Sequence, residues 1–157
     1  MKGASLKELK AELSTLHQAE LFQLCMRLAK YKKENKELLT YLLFESADEN
    51  AYIGKVKTLI SDGFEGINKT NLYLVKKMVR KILRTTNKFI KYSGSGQTEV
   101  ELLIFFCKQL RAAGVPLQVN TALGNLYLAQ IQKIRKTLLT LHEDLQYDYT
   151  QEMKPLL

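Results

Sequence analysis

Thr70–Tyr92, TNLYLVKKMVRKILRTTNKFIKY, is the stretch around which the chain is organised. It has no acidic residue, while Lys76, Lys77, Arg80, Lys81, Arg84, Lys88 and Lys91 crowd into it. An α-helix turns by about 100° per residue, so these positions can be placed on a wheel. The seven cations fall within an arc of roughly 140°. Tyr73 and Asn87 share that arc. Leu72, Val75, Met78, Val79, Ile82, Leu83, Phe89 and Ile90 fill the opposite side. The pattern predicts an amphipathic helix about 35 Å long, apolar on one face and wholly basic on the other. The rest of the chain reads as helices that bury the apolar face.

Upstream, Ser5 and Glu8 have the capping-box spacing and predict a short helix over Leu6–Leu13, with Leu6, Leu9 and Leu13 as its stripe. Thr15 and Gln18 repeat the spacing and open a second helix that runs to Tyr31. Leu21, Phe22, Leu24, Cys25, Met26 and Leu28 cover more than one of its faces, which predicts a buried central helix. The polar YKKENKE stretch reads as a break or a short connection before a third helix carrying Leu38 to Phe44. Ser46 and Glu49 form a further capping box for a fourth helix, weakened at its end by Gly63 and Gly66.

Downstream, Ser93–Gly96 is a short loop, and Thr98 with Glu101 is the best-formed capping box in the chain. The sixth helix is apolar on most sides and stops at Gly114 and Pro116. The seventh is expected over Thr121–Leu145. No stretch alternates with period two, so no strand is expected. The fold class is all-α: a compact bundle of about six to seven helices, mostly antiparallel helical hairpins. Residues 1–157 read as one domain, with a core over 1–146 and an acidic tail over 147–157 that frays.

The 157 residues carry a net charge of +8, and residues 67–97 alone hold eight basic groups and no acidic one. A basic helix attracts nucleic acid, an anionic membrane or an acidic partner; the bland reading is a solvated face that aids solubility. Cys25 and Cys107 sit in apolar runs and read as buried free thiols, which suits a reducing cytoplasm. The opening MKGASLKELK has no apolar signal region. The longest apolar run, Leu102–Cys107, is far shorter than the roughly 20 residues of a membrane span. The expectation is a soluble cytoplasmic protein with no membrane partner.

Little in the sequence has the pattern of an active site. Glu34-x-x-Glu37 and Glu45-x-x-Asp48 have the carboxylate spacing with which all-helical nucleotide pyrophosphohydrolases hold magnesium. The seven residues between the pairs are too few for two packed helices and a turn. Arg135-x6-His142 fits a loose ribonuclease spacing, two turns apart on one helix face. With two histidines in the chain, no nucleophile triad can be assembled. No catalytic residue, metal ligand or cofactor is assigned. The leading expectation is a non-enzymatic binding module. Its basic helix (70–92) takes RNA, DNA or an acidic protein partner through Lys76, Lys77, Arg80, Lys81, Arg84, Lys88 and Lys91, with Tyr73 placed to stack on a base. One alternative is a nucleotide or RNA hydrolase using Glu34, Glu37, Glu45 and Asp48, or Arg135 and His142. The other is a ligand-free assembly module, a homodimer if a leucine-rich helix stays exposed.

The stretches LAKYKKENKELLTYLLFE (28–45), RKILRTTNKFIKYSGSGQTEVELL (80–103) and TLHEDLQYDY (140–149) resemble an uncharacterised bacterial family of small all-helical proteins. The resemblance covers most of the chain and implies an all-helical fold. That family sometimes carries the label deoxyuridine triphosphate nucleotidohydrolase. The trimeric β-type enzyme of that name needs strands and glycine-rich motifs that this sequence lacks. The all-helical type needs the two carboxylate pairs just described.

Overall fold

The computed structural model describes every residue from Met1 to Leu157. It contains eight α-helices and no strand. The sequence reading takes 1–157 as one domain; the chain divides into two compact units, Met1–Phe44 and Glu45–Leu157.

The first unit holds α1 (Leu6–Leu13), α2 (Gln18–Tyr31) and α3 (Lys33–Thr40). The Ser5 capping box forms as expected. Glu8 Oε2 accepts from the Ser5 amide at 2.7 Å, and Ser5 Oγ accepts from the Glu8 amide at 3.2 Å. These bonds from Ser5 hold the Glu8 carboxyl below its ordinary range. The second cap shifts by two residues. His17 is the cap and donates its amide to Glu20 Oε2 at 3.2 Å, while Thr15 Oγ1 turns back to the Glu12 carbonyl. Of the two readings of the YKKENKE stretch the short connection holds: only Lys32 is extended, and Lys33 already starts α3. Asn35 Nδ2 donates to the Leu28 carbonyl at 2.8 Å and ties the α2–α3 hairpin. A π-helical turn, Tyr41–Glu45, follows.

α2 is not the buried central helix its composition suggested. None of α1, α2 or α3 has a buried residue, and Phe22 and Leu28 are about 60% exposed. Cys25 is exposed as well. An apolar surface all round shows what a helix can bury, not that a partner is at hand.

The second unit is built on α6 (Gly96–Ala112). Leu102, Leu103, Phe106, Cys107 and Leu110 are fully buried along it. Around it pack α4 (Glu49–Glu65), α5 (Leu72–Ser93), α7 (Ala122–Leu138) and α8 (Glu143–Met153). α4 and α5 are antiparallel. Tyr52 Oη donates to the Phe89 carbonyl at 2.7 Å near one end, and Gly63 meets Ile82 towards the other. A Cβ at Gly63 would fall 2.8 Å from Ile82 Cγ1, so this glycine permits a close helix crossing. α7 is antiparallel to α6, with Thr137 Oγ1 donating to Glu99 Oε1 at 3.1 Å.

Two capping boxes expected here do not form, because tertiary partners take their residues. Asp48, not Ser46, caps α4, and its Oδ1 accepts from the Ala51 amide at 3.0 Å. Ser95, not Thr98, caps α6. Thr98 is buried and donates to Glu49 Oε1 at 2.7 Å; Ser93 Oγ donates to the same oxygen. Glu101 instead accepts from Lys57 at 2.6 Å and from Tyr149 Oη at 3.2 Å. The end of α6 is as expected, with Gly114 left-handed at φ 71°.

The C-terminal residues do not fray. The seventh helix stops at Leu138, and the tail forms α8 and a short 3-10 turn, Lys154–Leu156. Tyr149, Met153 and Leu156 are buried. Arg111 Nη1 donates to the Pro155 carbonyl, and Tyr127 Oη to the Leu156 carbonyl, each at 2.6 Å. The buried positions of the tail (149, 153 and 156) recur at helical spacing, a stripe masked by the polar residues between them.

The loop before α7 lies against the helix's first turn. A Cβ at Gly124 would sit 1.9 Å from the Gln118 carbonyl oxygen. Gly124→Ala is expected to cost about 1–3 kcal/mol or more, since the loop backbone must move. A denaturant midpoint equal to wild type would show that the loop yields freely.

Burial pushes the Cys107 thiol from its ordinary 9.0 up to about 12. The raised folded value means that this stability is fully present below about pH 9. It is lost as pH rises towards 12, at up to about 1.4 kcal/mol per pH unit. Tyr127 and Tyr149 are raised by burial too and steepen the loss above about pH 10. Denaturant midpoints taken from neutral to alkaline pH should fall less steeply in Cys107→Ala than in wild type.

Candidate functional site

α5 carries the site, and its ends are fixed locally. Asn71 Oδ1 accepts from the Tyr73 amide at 3.0 Å and the Leu74 amide at 3.4 Å. Gly94 ends the helix in the left-handed conformation at φ 67°. Val75, Val79, Ile82, Thr86 and Ile90 are buried. Thr86 satisfies its hydroxyl on the Ile82 carbonyl at 2.9 Å, so a polar residue sits on the core face without cost. This burial fixes the rotation of the helix and turns the opposite face outward.

All seven cations lie on that outward face. Lys77, Arg80, Lys81, Arg84 and Lys91 are exposed, and Lys76 and Lys88 are half-buried. Tyr73 is 72% exposed on the same arc. From Lys76 to Lys91 the stripe is about 22 Å long. Lys88 Nζ lies 5.2 Å from the centre of the Phe89 ring. Lys76, Lys77, Arg80, Lys81, Arg84 and Lys91 form no ion pair, although other lysines of this unit do. Lys55 meets Glu45 at 2.9 Å, Lys57 meets Glu101 at 2.6 Å and Lys108 meets Glu152 at 2.9 Å. Like charges three and four residues apart each cost a few tenths of a kcal/mol, so the stripe is kept against local repulsion.

The sequence does not show that Lys133 of α7 lies beside the stripe. Lys133 donates to Asn87 Oδ1 at 3.2 Å and pairs with Glu99 at 3.5 Å. The link joins residues 46 apart in sequence; the only hint was Asn87 lying within the cationic arc. On the other flank, a cleft of about 200 Å³ between α4 and α5 reaches Lys81, with Leu59, Met78 and Phe89 in its walls.

The other candidate residues do not converge. Glu34 and Glu37 belong to α3 of the first unit, where Glu37 lies 3.8 Å from Lys33. In the second unit Glu45 pairs with Lys55 and Asp48 is a helix cap. Within neither unit do three His, Cys, Asp or Glu side chains form a group able to hold a metal ion. Arg135 and His142 do not share a helix face. α7 ends at Leu138, the Thr140 and Leu141 amides turn back to Thr137 and Leu138, and His142 caps α8. His142 Nδ1 accepts from the Asp144 amide at 3.3 Å. No helix is long and apolar enough to cross a membrane. The chain matches no family model, no curated protein and no solved structure among those compared.

Proposed function

We propose that the outward face of α5 is a non-enzymatic binding surface for the phosphate backbone of a nucleic acid. The observation that carries this reading is the absence of an ion-pair partner for six of its seven cations, on a face held outward by a buried core. Unpaired lysines and arginines in a row need no carboxylate displaced before they meet phosphates. Their counterions are released on binding, which supplies most of the affinity. The Arg80 and Arg84 guanidiniums match a phosphate in planar, two-pronged geometry, and the lysines act as mobile point charges. Tyr73 offers a ring for an unstacked base, which favours a single strand over a duplex.

The test is a set of binding titrations with single-stranded RNA, duplex DNA and polyglutamate as an acidic-protein mimic. The expected order places a nucleic acid well ahead of polyglutamate. Tyr73→Ala should weaken single-strand binding by about 1–3 kcal/mol and leave duplex binding unchanged. Preference for polyglutamate would transfer the surface to an acidic protein partner, and no binding to any of the three would return it to a solvated face.

A further inference from the structure

The cleft of about 200 Å³ between α4 and α5 opens on the flank of the basic stripe. Val56, Ile60, Ile82 and Thr86 are buried and form its floor, with Leu59 and Phe89 at its rim. Thr86 spends its hydroxyl on the Ile82 carbonyl, so the floor presents no unsatisfied polar side chain. Lys81 is the one charged residue that lines the cleft, and no carboxylate does. It is exposed and makes no ion pair. Lys81 also stands at one end. Its neighbour Ile82 meets Gly63, the last residue that α4 contributes to the lining. Phe89 lies at the opposite end, against Tyr52. From Lys81 to Phe89 the helix rises about 12 Å. Ligand sites between helices have this form, with apolar walls that hold the ligand and a few polar groups that orient it.

We propose that this cleft binds a small apolar monocarboxylate, its carboxylate on Lys81 Nζ and its hydrocarbon chain laid over Ile82 and Ile60 towards Phe89. Size sets the length of the chain. A dry apolar cavity of about 150 Å³ takes benzene, so in proportion the cleft holds roughly eight carbon atoms. It is too small for a drug-sized molecule, which needs about 300–1,000 Å³. Charge sets the head group. With no carboxylate in the cleft, the Lys81 ammonium is left for an anion, and a charge-assisted hydrogen bond is about twice as strong as a neutral one. A cationic head would meet Lys77, Lys81 and Arg84 along the stripe and be repelled. A nucleobase fits less well, because its hydrogen-bonding edges would find no partner on the apolar floor. The inference does not rest on the nucleic-acid reading: the two share Lys81, but the lining of the cleft says nothing of phosphates, and the test contains no nucleic acid.

Titration of the full chain with octanoate, followed by nuclear magnetic resonance of its isoleucine methyl groups, tests this. The Ile60 and Ile82 signals should move and saturate, while that of Ile134, buried on α7, stays fixed. Octylammonium, with the same chain and the opposite charge, should bind at least about tenfold more weakly. Lys81→Gln should weaken octanoate at least about tenfold, as a hydrogen bond between charged groups is lost, and should not weaken octylammonium. Lys81 is exposed, so this variant keeps the fold. Leu59→Glu, at a rim residue 49% exposed, sets a carboxylate at the mouth and should weaken octanoate as well. Ile60 and Ile82 signals that ignore octanoate would overturn the inference. So would an equal response to octylammonium, or an octanoate affinity that Lys81→Gln leaves unchanged.

Discussion

Replacing Lys77, Arg80 and Arg84 together by glutamate should abolish nucleic-acid binding and leave the fold unchanged. The three side chains are exposed and make no ion pair, so no native interaction is broken. Local energetics favour the variant slightly, because the new carboxylates face lysines three or four residues away where cations repelled before. Each lost phosphate contact removes about one unit from the salt dependence of binding, and each introduced negative charge repels the backbone. The affinity should drop by at least about a hundredfold at low salt. Helical circular dichroism and the thermal midpoint should match wild type. Undiminished binding in a folded variant would exclude the α5 face.

Phe106→Ala should have the largest effect on stability. Phe106 is fully buried on α6, with its ring centre 5.6 Å from that of Phe64 on α4. Truncation removes the transfer free energy of the ring and leaves a cavity among helices that can collapse only in part. The expected loss is about 3–5 kcal/mol, a large share of the 5–15 kcal/mol that holds a typical domain. Leu139→Ala, at a residue 77% exposed, should stay within about 0.5 kcal/mol of wild type. Thermal or denaturant unfolding of the pair checks this. Equal losses would contradict the placement of α6 at the centre of the second unit.

The all-helical class and the course of α5 were legible because both rest on local periodicity. Seven cations and eight apolar residues separate onto two faces of one helix without help from the rest of the chain. Capping was legible only where the cap residues had no competing partner. Ser5 and Glu8 lie on an isolated helix and bond to each other, whereas Thr98 and Glu101 are drawn to Glu49, Lys57 and Tyr149 across the core. The break after Leu138 was hidden by Leu141 and Leu145, which continue the apolar stripe through a turn. The exposure of α2 was not legible at all, since an apolar helix that is buried and one that stays exposed can have the same composition. Of the candidate site, the cations could be read from the sequence. Their lack of partners could not, because acidic residues on α4, α6 or α7 were free to neutralise them, as Glu99 does Lys133.

The most direct measurement of the central claim is the affinity of the wild-type protein for one nucleic acid across a series of salt concentrations. If about six cations of α5 meet phosphates of a duplex, the logarithm of the association constant should fall with the logarithm of salt at a slope near −5. A single strand should give a slope near −4. A slope near zero would contradict the account, because it would mean that binding releases no counterions and that the basic face does not contact the backbone.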